Sequence, residues 1–394
     1  MHQVIIAGSG RGLLFAKLLC EPKFREQCRV AAMVDIAVEH HAHLRQILDD
    51  SGLRDTKICT TIDEALARYP QEKADAVIVV TPNTTHAELT EKVLAADRHL
   101  LLEKPIAADW ADVRKIRNAA RNSSRTVQLG FVLRYSGFYQ KLHELSRQIG
   151  HIVMIQSNER LSFDHSSAYR RGWRRYASAT GGLMNEKCSH DLDIIRWLKK
   201  GLAQPVRVYS LGGQDLFPAH PEKPQFCADC RDMQCVFRRD IEKMKQNVYS
   251  MNVDFEVYRQ CIYHTDADVM TNQSATILFD DGTQAIFTIA LYAGRDEQRD
   301  IRILGTEGHL YGDLKSGRIE LLRYRENTHE IFELPGGMHG GADSLILEDF
   351  FRCIEKNEQP EATVEDGVQA SRLAFAANLS VKEKRIVRLD EFSL

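Results

Sequence analysis

Three groups of residues in this 394-residue chain have types and spacings that could do chemistry. The first is Glu103-Lys104-Pro105, where three leucines (Leu100 to Leu102) run into a carboxylate, an amine and an imino acid. A lysine drawn out of water can stabilise a developing oxyanion or titrate itself. The second is Gly181-Gly182-Leu183-Met184-Asn185-Glu186-Lys187-Cys188-Ser189-His190-Asp191-Leu192-Asp193. Helical spacing would set Glu186, His190 and Asp193 on one face. A histidine beside acids can move a proton near neutral pH; the plainer reading is a histidine satisfied by those acids in a packed network. The third is Cys227-x-x-Cys230-x-x-x-x-Cys235, one ligand short of a structural zinc site, which Cys261 or His220 would complete. Free thiols or a redox pair are the alternative.

The elements that must hold these groups are legible in the hydrophobic pattern. Val4 to Ala7 is a short strand, followed at once by Gly8-Ser9-Gly10-Arg11-Gly12 and a helix opening at Leu13. Glycines at such a turn let the backbone approach a pyrophosphate at the helix N-terminus. The third glycine falls at 12, one residue earlier than the usual G-x-G-x-x-G places it. A second strand, 29–34, ends in Asp35, whose carboxylate would accept from a ribose hydroxyl and repel a 2′-phosphate, favouring NAD over NADP. Capping the next turn is its ordinary alternative. Thr61-Ile62-Asp63-Glu64 forms a capping box. A strand over 76–80 runs into Thr81-Pro82-Asn83-Thr84-Thr85-His86, and a helix over 87–96 leads to the Leu100 strand. An Asp109-capped helix and a strand over 126–129 follow. This alternation predicts a doubly wound parallel sheet over 1–130, with ligands bound past the carboxyl ends of its strands.

Beyond 130 the pattern changes to strands without regular intervening helices, at 151–158, 206–211, 274–279, 285–290, 300–304 and 318–324. Asp281-Gly282 marks a hairpin, and a last helix is expected over 366–382. The chain is therefore expected to be α/β: an N-terminal Rossmann domain (1–130) and a C-terminal α+β domain (131–394) on a mostly antiparallel open sheet.

The glycine loop, Asp35, Thr81-Pro82-Asn83 and above all Glu103-Lys104-Pro105 resemble the glucose-fructose oxidoreductase / inositol dehydrogenase / rhizopine-catabolism (Gfo/Idh/MocA) family. The resemblance implies NAD(P)-dependent oxidation or reduction of a sugar or cyclitol hydroxyl. It implies cofactor contacts from Gly8, Ser9, Gly10, Arg11, Gly12, Asp35, Thr81, Pro82, Asn83, His86, Glu103 and Lys104. In that family the lysine lies between nicotinamide and substrate, and the bond to the following proline is commonly cis. His190 carries over as general base. Glu186 stands where the family has aspartate and would orient His190 or Lys104, with Asp193 supporting the histidine from behind. Substrate contacts are expected from Lys104, Arg134, Tyr135, Trp173, Lys187, His190 and His339. Trp173 lies in the arginine-rich stretch 169–176, for which an oligomer contact or a solvated loop is the other reading. Any zinc would be structural, since the family needs none.

Composition narrows the partners. A net charge of −3 and a charged share of 27% give no reason to expect nucleic acid or a membrane surface. No apolar run approaches the ~20 residues of a membrane span, and no basic leader precedes an apolar stretch. Nine scattered cysteines suit reduced thiols. The expectation is a cytoplasmic homodimer or homotetramer acting on a small sugar-like molecule. Three functions fit: a dehydrogenase or reductase; an NAD-dependent glycosidase or lyase working by transient oxidation and elimination; and a non-catalytic NAD or sugar sensor.

Overall fold

The computed structural model describes residues 1–71, 74–214, 220, 222–245, 255–337 and 341–393. The chain divides into two compact units. One gathers Met1–Gly130 and Ile346–Val368 with the described part of Arg239–Phe255; the other gathers Phe131–Arg238, Glu256–Leu345 and Gln369–Leu394.

The first unit is built on β1 (His2–Ala7), β2 (Cys28–Val34), β3 (Lys57–Cys59), β4 (Ala76–Val79), β5 (His99–Leu102) and β6 (Val127–Leu129). All pair in parallel, in the order β3-β2-β1-β4-β5-β6. Val4–Ala7, Ala76–Val79 and Leu100–Leu102 are buried throughout, as strands covered on both faces must be. The order reverses between β1 and β4, which is where such sheets open a crevice for a ligand. Thr61 and Asp109 cap their helices as expected, accepting from Glu64 N at 3.1 Å and Asp112 N at 2.8 Å.

The stretch Ile346–Val368 completes this unit, where the sequence pattern assigned everything past 130 to the other domain. The backbone N–H of Leu129 donates to Ala362 O at 2.9 Å, and the Gln128 amide donates to Ile346 O at 2.9 Å. An edge strand with unpaired backbone groups needs such a cover, and a distant segment supplies it.

The second unit carries β7 (Ile152–Arg160), β8 (Pro205–Gly213), β9 (Asn272–Phe279), β10 (Gln284–Ala290), β11 (Gln298–Gly305), β12 (Gly308–Asp313), β13 (Arg318–Arg323), β14 (Thr328–Glu333) and β15 (Val387–Arg388). Their order is β14-β13-β12-β11-β7-β10-β9-β8-β15, antiparallel except for β7 with β10. Burial alternates along β9, β10 and β12, so one face of the sheet is packed. Phe287, Ile303 and Leu321 on that face share a core with Leu192, Ile195 and Leu198 of the helix Ser189–Leu198. Gly282 sits at φ 86° in the β9–β10 turn, as Asp281-Gly282 leads one to expect. Strand β12 escaped the pattern because it begins with glycine and holds another at 312. A Cβ on Gly312 would stand 2.8 Å from Phe138 Cζ, so the small residue serves packing there.

Candidate functional site

In the first unit the glycine loop divides its work among three residues. Gly8 has φ 102°, and a Cβ on it would lie 2.8 Å from Val80 O, so only glycine makes this turn. A Cβ on Gly12 would lie 2.8 Å from Ile6 Cγ2; this glycine lets the helix Ser9–Leu18 pack closely on β1. The early third glycine thus fills the helix-packing role. Around Gly10 a Cβ would meet nothing within 4 Å, which leaves open space at the helix N-terminus. The Ser9 hydroxyl donates to the Asp35 carboxylate, which also accepts from Ala37 N at 2.9 Å. Open space before a helix start and an acid at the end of β2 fit a dinucleotide.

The loops past β4 and β5 are tied together by His86. Its ring is buried, with Nδ1 3.0 Å from Pro105 O and Nε2 3.0 Å from Thr81 O. Burial holds its pKa below the ordinary value. His86, expected among the cofactor contacts, thus lies against the backbone of both loops. Asn83 is buried and Pro82 exposed, while Thr81 Oγ1 bonds Thr85 Oγ1 at 2.6 Å. Glu103 pairs with Arg11 and accepts from Lys104 N at 2.9 Å, and the Lys104–Pro105 peptide is cis. Arg11 and Glu103, two of the charges expected at the cofactor, are thus engaged with each other beside the half-buried Lys104.

In the second unit Gly181 and Gly182 take φ of 74° and 86° and launch a short helix, Leu183–Glu186. A new helix starts at Ser189, with Asp191 N and Leu192 N both donating to Cys188 O. Glu186 and His190 consequently stand on two helices, not on one face of a single helix. His190 occupies the first turn of the second helix, 6% exposed, its ring 5.9 Å from that of Phe131. Glu186 accepts from the Tyr169 hydroxyl and from Arg174 Nε at 2.6 Å. Burial pushes the Tyr169 phenol up, and burial also works against the Arg174 charge, but Glu186 outweighs it. Glu186, expected to orient His190 or Lys104, is thus anchored by Tyr169 and Arg174.

Two further ion networks rearrange the expected roles. Lys187 Nζ lies 2.8 Å from Glu159 Oε1, and Arg299 bridges Glu159 to Asp191, with Nε 2.9 Å from Asp191 Oδ1. Burial raises the Asp191 carboxyl to about 7 against the pull of Arg299. Burial opposes the charge of Glu159 as well, yet Arg299 and Lys187 hold its pKa low. Arg134, fully buried, pairs with Asp193 through both Nε (2.7 Å) and Nη2 (2.5 Å). Lys187 thus pairs with the internal carboxylate of Glu159, and Arg134 with that of Asp193. Tyr135 is buried too. Trp173 is half-buried with the Arg174 guanidinium 4.6 Å from its ring centroid. His339 lies outside the described residues.

Comparison with known proteins decides the family. Residues 3–131 match the Gfo/Idh/MocA oxidoreductase family, NAD-binding Rossmann fold, and residues 145–389 match its C-terminal alpha/beta domain. The chain belongs to the Gfo/Idh/MocA oxidoreductase family. Among Gfo/Idh/MocA relatives, YteT of Bacillus subtilis, which carries an oxidoreductase name, is 26% identical over 81% of this chain and 82% of its own length. A myo-inositol 2-dehydrogenase of Thermotoga maritima is 22% identical, with 80% of each chain covered. The crystal structure of a scyllo-inositol dehydrogenase from Lactobacillus casei with NAD(H) and scyllo-inositol superposes with a TM-score of 0.72 at 19% identity, covering 99% of both chains.

The zinc expectation finds no support. Cys227, Cys230, Cys235 and Cys261 do line one small cavity. Among the described residues, however, no group of three or more histidine, cysteine, aspartate or glutamate side chains is arranged to hold a metal ion. Sequence reasoning missed Glu159 and Arg299, though a signal existed. Glu159 shares the inward parity of Ile155 and Ser157 on β7, and Arg299 that of Ile301 and Ile303 on β11. A charge at an inward position demands a buried partner.

Proposed function

We propose that this Gfo/Idh/MocA protein is an NAD-dependent dehydrogenase or reductase acting on a CH–OH group of a cyclitol or sugar derivative. Lys104 carries the reading: it stands, half-buried, past β5 of a Rossmann sheet beside the paired Glu103 and Arg11. The inositol dehydrogenase names of the relatives supply the substrate class. Asp35, as a ribose acceptor that repels a 2′-phosphate, favours NAD over NADP.

Bound NAD supplies the hydride acceptor, and the chain supplies proton handling and charge. His190 takes the hydroxyl proton as general base. Lys104 stabilises the developing alkoxide with its ammonium group. Glu186, gripped by Tyr169 and Arg174, keeps a fixed negative charge on the short helix before His190. Trp173, only half-buried, offers a ring face to the substrate.

The test is NADH formation over a panel of inositols, sugars, sugar acids and aryl glycosides. One polyol should give NADH, and His190→Ala should lower kcat by about 10²–10⁴-fold, the usual worth of a positioned acid–base group. Lys104→Ala should also abolish turnover while NAD still binds. Release of an aglycone without net NADH would replace this reading with oxidation and elimination.

A further inference from the structure

His190 stands on a turn whose two ends are tied to the second sheet by charge. The chain passes there from the short helix Leu183–Glu186 into the helix Ser189–Leu198, so Lys187 and Asp191 flank the histidine on either side. On the packed face of the sheet, Glu159 of β7 and Arg299 of β11 are direct partners in the antiparallel register. Cross-strand partners of this kind share a face and meet. The Lys187 ammonium lies 2.8 Å from Glu159 Oε1, and Arg299 Nη2 donates to that same oxygen. Arg299 also reaches Asp191, with Nε 2.9 Å from Oδ1 and Nη2 3.2 Å from Oδ2. Each of the four side chains is 10% exposed or less.

Two cations and two carboxylates thus close on one another away from water. Such a set is a poor source of stability, since apolar side chains of like volume would hold the fold as well or better. What charge supplies and apolar contact does not is direction, because a guanidinium meets a carboxylate in a fixed planar geometry. The start of the helix needs that direction from somewhere. Cys188, at its N-cap, makes no side-chain cap, and Ser189 Oγ is buried without a hydrogen-bond partner among the described residues. We propose that Glu159 and Arg299 are positioning residues for His190, a strap from β7 and β11 that holds its turn at Lys187 and at Asp191. A general base must stay within hydrogen-bond reach of the proton it takes, and a misplacement of about 1 Å costs about 10²-fold in rate. The consequence for catalysis rests on the dehydrogenase reading; the hold on the turn does not.

The experiment compares the full chain with Arg299→Met and Arg299→Lys. Hydrogen–deuterium exchange read by peptide mass reports the turn, and NADH formation with the inositol or sugar of the panel that turns over fastest reports the chemistry. In Arg299→Met, exchange should rise severalfold over residues 187–192 and stay unchanged in the Rossmann unit. Its kcat should fall about 10²-fold, with NAD affinity by calorimetry unaltered. The solvent deuterium isotope effect on kcat should grow as proton removal becomes the slower step. Arg299→Lys keeps a cation and should restore part of both losses. Should Arg299→Met fail to fold, Lys187→Met frees one end of the strap while leaving Arg299 between its two acids, and it should loosen the same segment. Unchanged exchange over 187–192, or a rise spread evenly along the chain, overturns the proposal. So does a local rise with kcat intact. If the unaltered chain forms no NADH across the panel, the dehydrogenase reading has failed, and exchange alone upholds or overturns the hold on the His190 turn.

Discussion

Gly10 and Gly12 are two residues apart and should answer the same substitution in opposite ways. A methyl group on Gly12 meets Ile6 Cγ2 at 2.8 Å in a packed layer, and overpacking of that kind costs about 1–3 kcal/mol. Gly10 begins the helix with open space beside it, so alanine should leave chemical denaturation unchanged or slightly improved while NAD affinity falls. Calorimetric titration with NAD beside urea unfolding separates the two. Equal stability losses at both positions would remove the assignment of Gly10 to the cofactor. Residue types alone mark this loop as a phosphate cradle, whereas only the packing tells which glycine faces the ligand and which faces β1.

At the scale of elements, the helix Ser189–Leu198 depends on two buried acids in its first half, Asp191 and Asp193. Arg134 and Asp193 form a buried bidentate pair, and removing one partner of such a pair costs about 3–5 kcal/mol, because the other is left charged and dry. Asp193→Ala should show this in urea unfolding, and Arg134→Met with Asp193→Leu should recover most of it. If the double variant is no more stable than the single, the loss is one of packing rather than of stranded charge. The Asp191 carboxyl, raised to about 7, makes a separate claim on pH. A group that binds its proton more tightly when folded stabilises at low pH and loses that contribution as pH rises through its folded pKa. His99 and His143, both lowered to about 4 chiefly by burial, act in the opposite sense, losing stability as pH falls from the ordinary histidine range toward 4. Between about pH 6.5 and 8 the last part of the Asp191 loss occurs, and comparison with Asp191→Asn cancels the histidines, which both chains share. Over that range the melting temperature of the unaltered chain should fall relative to Asp191→Asn. Parallel curves would mean that Asp191 is ionised throughout.

For the whole molecule, the return of Ile346–Val368 to the first unit has a direct consequence. Strand β6 bonds to Ala362 and Ile346, and a Cβ on Gly367 would stand 2.2 Å from Leu129 Cδ2. A fragment of residues 1–130 should therefore unfold at lower urea than the full chain, with shallower cooperativity. A fragment as stable as the full chain would show the returning segment to be ornamental.

The sequence by itself determined the Rossmann alternation, the glycine loop, Asp35, the position of Lys104 past β5 and the presence of His190, because each is a local pattern of period, turn chemistry or spacing. It also placed most strands of the second sheet through their alternation. Only the tertiary structure decided that Glu186 and His190 occupy separate helices, that Lys187 and Arg134 serve internal acids, and that His86 clamps two loops. It alone showed four cysteines from two segments lining one cavity. The physical reason is common to these cases. A buried charge or thiol takes its role from the partner that meets it in space, and those partners are set by sheet parity and chain returns across tens to hundreds of residues.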